Sequence, residues 1–416
     1  MASITVRPVT FRLNTRPQGA PRVVIAGGGV AGLETMIALR TLAGDRADVQ
    51  LVSPEREFAY RPLTVAAAFG ASLGPQLEVA ELARAVGASY VTDAVTSVAP
   101  RANAATLSSG ARIGYDILVL ATGARPTDSI PGAITFGSPG GTRRFRALLA
   151  AAQSGAVSRI VFASTDACGW PLALYELALL SAQRLLCAGV HAQLAVMTPE
   201  LAPLASFGGR ASGAVLEELE GRRIQFLPGM HARELAAGEL RASPGEFRMP
   251  ADAVVTLPAL TGPRFDGLPS DERGFIVADA HGLVHGMTDV YAAGDAISFP
   301  VKHGGLAAEQ ADAVAAAIAA RLGAPVKPEP FAPVLRGMLL TGGDTRYMEG
   351  PLDQSGAATT STNPLWWPPA KIAGRYIAPY LSGQITGPPA SLTRVPVELE
   401  IEREPQPVGA GADESG

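Results

Sequence analysis

An α/β fold with two Rossmann-like dinucleotide-binding domains is predicted by two stretches that share one plan and by two later strand-to-turn junctions. The first stretch, "RVVIAGGGVAGLETMIALRTL" (residues 22–42), runs an apolar strand into Gly27, Gly29 and Gly32 and then into a helical pattern, with a second apolar strand "VQLVS" behind it. The second stretch, "RIVFASTDACGWPLALYELALL" (residues 159–180), repeats strand, loop and helix without most of the glycines. The junctions are "YDILVLATGARP" (115–126) and "DVYAAGDA" (289–296), each an apolar strand ending in a small-residue turn.

Each glycine of the first loop has its own physical reason. One turns the chain tightly, one lets a pyrophosphate approach the backbone, and one lets helix and strand pack closely, while the helix N-terminus faces the anion. The strand before and the helix after are what raise GxGxxG above a common turn. The acid expected about 20 residues on, for the ribose, is replaced by Ser53, with Glu55 two residues later.

Composition narrows the class. With 416 residues, 47% hydrophobic and 17% charged, the chain has the balance of a core-forming protein of two or three domains. A net charge of -4 without a basic tract argues against nucleic acid. No run reaches the ~18 apolar residues of a membrane span, and no signal-peptide pattern is seen, so a cytoplasmic protein is expected. Cys168 and Cys187 are the two cysteines, with neither CxxC nor zinc-ligand spacing, so no metal site is expected.

Taken together, the first loop, the ATG turn (Thr122, Gly123) and the GD turn (Gly294, Asp295) resemble the FAD-dependent pyridine nucleotide-disulfide oxidoreductase superfamily across residues 20 to 325. The resemblance implies FAD, with Asp295 on its ribityl chain. It also places Arg61, in "REFAYRPL", near the flavin, and aims the helix that follows Lys302, His303, Gly304 and Gly305 at the pyrimidine edge of the flavin ring. There the dipole and Lys302 would favour the reduced flavin. A solvated loop lysine is the equal alternative.

Laying the second loop on the first puts Ser164, Asp166 and Gly169 at the three glycine positions. Asp166 would set a carboxylate where a pyrophosphate must come, and like charges at ~4 Å repel by about 1 to 4 kcal/mol. Nicotinamide binding in the usual manner is disfavoured, although Glu200, in "TPE" after the strand "QLAVM", offers an acid near the ribose position. Pro171 suits a first helical turn, with Glu176 in the helix that follows. This Cys, Pro, Tyr-Glu pattern resembles sulfide:quinone oxidoreductases and flavocytochrome c sulfide dehydrogenases more than type II NADH dehydrogenases.

Cys168 and Lys302 are the candidate chemical groups. Cys168 is expected near a helix N-terminus, where the dipole lowers a thiol pKa. Sulfide oxidation in the resembled enzymes uses a further C-terminal cysteine, and none follows Cys187, which is expected on an apolar helix face.

The expected organisation is a first part of the FAD domain at 20–130, a second Rossmann-like domain with a degenerate loop at 131–260, and the rest of the FAD domain at 261–325. A C-terminal region follows at 326–395, then a flexible tail at 396–416. The expected function is an FAD-dependent oxidoreductase passing electrons from a small donor to an acceptor, a quinone or a soluble carrier. Two alternatives stay open: an NAD(P)H dehydrogenase with an atypical loop, and a redox-responsive flavoprotein binding module. In "NPLWWPPAKIAGRYIAPYLSG" (363–383), a helix over 370–381 would align Ile372, Tyr376, Ile377, Tyr380 and Leu381 beside Lys371 and Arg375. With Trp366 and Trp367 this face is read either as peripheral contact with the inner face of the membrane or as packing on the FAD domain or a second subunit.

Overall fold

Val23, Val24, Ile25 and Ala26 have no exposed surface, and a strand covered on both faces belongs in the middle of a parallel sheet. The computed structural model describes residues 19–71, 77–352 and 358–381. In it Arg22–Ala26 is the central strand of a five-stranded parallel sheet, ordered Val290–Ala292, Ile117–Leu120, Arg22–Ala26, Asp48–Val52 and Ser89–Val91. The chain leaves this sheet after residue 120 and returns to it only at residue 290, so the sheet is discontinuous in sequence.

The intervening chain builds a second five-stranded parallel sheet, ordered Ile224–Leu227, Gln193–Met197, Arg159–Ala163, Ala253–Thr256 and Ile134–Thr135. Between the two, Arg125–Thr127 and Ala259–Thr261 pair antiparallel as the outgoing and returning strands of the connection. In both sheets the strand order reverses beside the glycine-loop strand. A ligand-binding crevice forms at such a switch point, outside the carboxyl ends of the strands.

Two helices cover one face of the first sheet: Val30–Leu42 and the alanine-rich Gly304–Arg321. Their small residues let them approach closely, and Ala31, Ala38, Ala307, Ala311 and Ala315 share one core with Val23 and Ile25. Leu172–Cys187 covers the second sheet, and its Leu174, Tyr175 and Leu177 are fully buried.

The C-terminal region adds an antiparallel sheet of Val334–Leu339, Arg346–Pro351 and Thr359–Ser361, whose Leu335, Leu339 and Met348 join the core of the second unit. The chain then crosses to the first unit. The helix expected over 370–381 is only Ala378–Leu381, because Pro368, Pro369 and Gly374 favour an irregular path. Ile372, Ile377, Tyr380 and Leu381 of that path are buried in the core of the first unit, so the expected amphipathic face is an interior contact. The tail expected at 396–416 lies outside the described residues.

Candidate functional site

The three glycines of the first loop occupy three different environments. Gly27 has φ +116°, a conformation that favours glycine, and a methyl group there would strike the Ala121 backbone. A methyl at Gly32 would collide with the Gly27 carbonyl oxygen. Gly29 differs, because nothing lies within 4 Å of the position its Cβ would take. It caps the N-terminus of Val30–Leu42, where free N–H groups favour an anion.

At the carboxyl end of the next strand, Ser53 has no exposed surface and its hydroxyl donates to Glu55 Oε2 at 2.7 Å. Ser53 is therefore a support, and the exposed Glu55 is the carboxylate presented outward. Tyr90, which sequence reasoning missed, donates its hydroxyl to the Ser53 and Glu55 carbonyl oxygens at 3.0 and 2.7 Å and fixes this turn.

Across the crevice, Thr122 is exposed and Gly123, at φ +72°, has open space before it. Gly294, at φ +75°, is pressed against Ala31, with 2.8 Å from its would-be Cβ to the Ala31 Cβ. The same Gly294 position lies 3.5 Å from Ala307 of the alanine-rich helix, and Asp295 is the next residue. Burial raises its carboxyl above the ordinary range, while Lys302 and Arg61 oppose that shift. The structure thus brings Arg61, Asp295 and Lys302 together, although they lie 241 residues apart from first to last.

Lys302 is more committed than a solvated loop lysine. Its Nζ donates to the Ile297 carbonyl oxygen and sits 3.7 Å from the centroid of the Phe275 ring. Burial brings its pKa down to about 8 against the pull of Asp295 and Asp271. Beside it, His303 Nδ1 accepts the Leu306 N–H at 3.4 Å and caps the alanine-rich helix, leaving Gly304 and Gly305 as its first residues. Burial lowers the His303 pKa to about 4, so this cap is neutral, and its ring packs on Trp170 at 5.0 Å.

The second loop is built differently. Residues Asp166–Cys168 form a 3-10 turn, and the helix starts at Leu172 with Pro171 as its cap. Asp166 is exposed and lies 3.1 Å from His231 Nδ1. Gly169 has φ +75°, and its would-be Cβ lies 2.7 Å from Lys302 Cγ. Its carbonyl accepts the Lys302 N–H at 3.2 Å. Lys302 thus packs on Gly169, the counterpart of the helix-packing Gly32. Glu200 is likewise occupied, accepting the Tyr175 hydroxyl at 2.8 Å and the Ala205 N–H at 3.1 Å.

Both cysteine expectations are corrected. Cys168 lies in the 3-10 turn just before the helix, but burial pushes its thiol up to about 12 where a lowering was expected, with Glu200 and Asp166 adding to the rise. Desolvation outweighs the dipole, and the group is a neutral thiol. Cys187 is exposed and receives a 3.4 Å contact from Gln183 Nε2.

The tryptophan pair is divided. Trp366 donates its Nε1–H to the Ala370 carbonyl at 2.9 Å and packs edge-on against Tyr347, whereas Trp367 is 69% exposed. Lys371, expected at a surface, is interior and paired with Glu176. Among the described residues no helix is long and apolar enough to cross a membrane.

Known proteins carry the same pattern. The chain is 35% identical to the sulfide-quinone reductase of Aquifex aeolicus over 106 residues, 25% of this chain and 24% of the relative. It is 28% identical to the ferredoxin reductase component of chlorobenzene dioxygenase from a Cupriavidus species over 357 residues, 80% of this chain and 82% of the relative. The first match thus spans about a quarter of the relative's length, whereas the second spans most of it.

The crystal structure of the Aquifex aeolicus sulfide:quinone oxidoreductase superposes with TM-score 0.74 at 20% identity, covering 82% of this chain and 87% of the other. At that identity the likeness is one of fold. The model of the pyridine nucleotide-disulphide oxidoreductase family matches residues 21–320, which contain both glycine loops and the ATG and GD turns. On that match the chain belongs to the pyridine nucleotide-disulphide oxidoreductase family, as an FAD-dependent oxidoreductase.

Proposed function

We propose that this oxidoreductase passes electrons from a small donor to a quinone or a soluble carrier, and that a nicotinamide dinucleotide is a poor donor. The observation that carries the reading is the contrast between the loops. Gly29 faces open space, while its counterpart Asp166 carries a side chain that lies 3.1 Å from His231 Nδ1.

The first loop fits FAD. Gly29 would admit the pyrophosphate, Gly27 and Gly32 hold the turn and the helix contact that make the cradle, and Glu55, set by Ser53, would take the adenosine ribose. Gly294 and Asp295 would take the ribityl chain, with Thr122, Gly123, Arg61 and Gly305 lining the remainder. Bound FAD supplies two-electron acceptance and stepwise release. The N-terminal turn of the alanine-rich helix and Lys302 would place positive potential at the flavin end of the site. In the overall reaction the donor loses two electrons, and a quinone acceptor takes two electrons and two protons to become the quinol. Cys168, neutral and without a second cysteine nearby, stays outside this electron path.

Anaerobic mixing of the FAD-loaded protein with NADH, NADPH or sulfide, followed through the flavin absorbance, tests the assignment. Slow bleaching by NADH that Asp166→Gly accelerates is the expected result. Fast, saturable bleaching of the unmodified protein by micromolar NADH would replace it with the second reading, an NAD(P)H dehydrogenase. The long match to a ferredoxin reductase component favours that reading.

A further inference from the structure

Arg143, Arg144 and Arg146 stand exposed on the helix Gly141–Gln153, and no Asp or Glu occurs between Asp128 and Asp166. Among the described residues none of the three arginines is in an ion pair. Arg143 and Arg144 sit in the first turn, where the helix dipole favours acids and disfavours cations. Gly140, which caps the helix, has no side chain to offset them. In a chain of net charge -4 this is a local excess of positive charge that helix stability does not explain.

The arginines form a face. Arg143 and Arg146 share one side of the helix with the exposed Ala147 and Ala150, and Arg144 stands at its rim. The opposite side is anchored: Phe145 has no exposed surface and meets Phe69 and Phe136 edge-on at 5.7 and 5.5 Å. Arg146 Nη2 also donates to the Ala67 carbonyl at 2.7 Å. Ala67 belongs to the short helix Thr64–Ala68, which follows directly on the turn Arg61–Leu63. Arg61 is itself exposed, and its charge acts on Asp295. At a rise of about 1.5 to 2 Å per residue, the chain from Arg61 to Ala67 spans roughly 10 Å. The arginine face therefore lies beside the segment that brings Arg61 to Asp295.

We propose that the arginine face of Gly141–Gln153 is the docking surface for an acidic soluble protein that carries electrons away one at a time. The proposal rests on the reading that the acceptor is a soluble carrier. Complementary charge speeds encounter and sets orientation, which suits a carrier that must also leave. Two such carriers take the two electrons that one donor molecule gives up, and the accompanying protons pass to water. A lipid surface fits less well, because peripheral attachment needs apolar anchors. The large apolar side chains exposed among the described residues are Leu186, Leu201 and Trp367, none of them on this helix.

Anaerobic stopped-flow reoxidation of the FAD-loaded protein, reduced stoichiometrically with dithionite, tests the surface. Cytochrome b5 serves as an acidic one-electron acceptor, cytochrome c as a basic one and benzoquinone as a small neutral one. The cytochrome b5 rate is expected to fall about tenfold or more from low to high salt. The triple variant Arg143→Gln, Arg144→Gln, Arg146→Gln should lose about as much at low salt, with its benzoquinone rate within about twofold of the unmodified protein. Arg143→Glu with Arg144→Glu keeps the bond from Arg146 to Ala67, and should slow cytochrome b5 while speeding cytochrome c. Retained flavin is the check on folding in each variant.

An unchanged cytochrome b5 rate in both variants overturns the docking surface. A protein that reduces benzoquinone but neither cytochrome overturns the carrier reading beneath it, and the proposal with it. Co-sedimentation of the unmodified protein with anionic vesicles that the triple variant loses would assign the face to lipid and overturn the proposal as well.

Discussion

Lys371 and Glu176 meet in an ion pair of which only 6% and 1% of the side chains are exposed, joining the C-terminal segment to the long helix of the second unit. The same Glu176 oxygen accepts the Leu340 N–H at 2.8 Å. Lys371→Met leaves a buried carboxylate without its cation, an uncompensated charge that costs about 3 to 5 kcal/mol. Burial already raises the Glu176 pKa, with Lys371 opposing the rise. Without the lysine, the folded protein binds a proton more tightly than the unfolded chain, so stability is retained in acid and lost as pH rises through the raised pKa. Denaturant titrations at mildly acidic and mildly alkaline pH should therefore show a larger loss in alkali. The double variant Glu176→Gln, Lys371→Met should recover much of it. An equal loss at both pH values would show that packing, not charge, dominates this contact.

The glycine environments make two unlike predictions for flavin content. Gly29→Glu puts a long acidic side chain into open space, so the fold should persist while FAD is lost. Gly32→Ala brings a methyl into the Gly27 carbonyl and should lower the melting temperature as well. Absorbance per protein and thermal unfolding of the two variants separate the effects. Asp295→Ala should lower flavin content in the manner of Gly29→Glu. Full flavin in Gly29→Glu would displace the cofactor from this loop.

Cys168 and Cys187 should differ in reactivity in the order set by exposure. Burial pushes the Cys168 thiol up to about 12, which keeps it protonated at pH 8, and iodoacetamide should modify the exposed Cys187 first. Mass spectrometry of peptides after brief alkylation reads this directly. Replacement of Cys168 by Ala should leave flavin reduction by a small donor within about twofold, the expectation for a group that lies outside the electron path. A drop of a hundredfold would restore it to that path.

Sheets and glycine loops were legible in the sequence because their causes are local: apolar runs covered on both faces, and glycines whose spacing matches one turn geometry. The departure of the second loop from the glycine pattern was legible too, since Asp166 stands where the first loop has Gly29. The packing of Lys302 on Gly169 was not, because the two lie 133 residues apart. The state of Cys168 was misjudged for a related reason. Helix ends can be read locally, whereas desolvation depends on everything that packs around a residue. Glu34 did carry a signal, a carboxylate inside the apolar run "GLETMIAL", but the Tyr376 and Ile377 N–H groups it accepts lie far along the chain. The C-terminal face was amphipathic by periodicity and proved to be core, as one face of a helix is apolar whether a membrane or a protein covers it.

That outcome sets the last prediction. Trp366 is half-buried, hydrogen-bonded to Ala370 and packed on Tyr347, so Trp366→Ser should cost about 1 to 2 kcal/mol through lost apolar burial. Trp367 is 69% exposed, and Trp367→Ser should stay within about 0.5 kcal/mol of the unmodified protein. Stable attachment to a lipid surface needs a broad apolar face with basic neighbours. Here Ile372, Ile377, Tyr380 and Leu381 are buried and Lys371 is paired internally, which leaves Trp367 and Arg375 as the exposed aromatic and basic groups among the described residues of the segment. Sedimentation with anionic vesicles at physiological salt should therefore leave the FAD-loaded protein in the supernatant. Co-sedimentation that Trp367→Ser abolishes would show that one exposed indole suffices, and would make this surface a membrane contact.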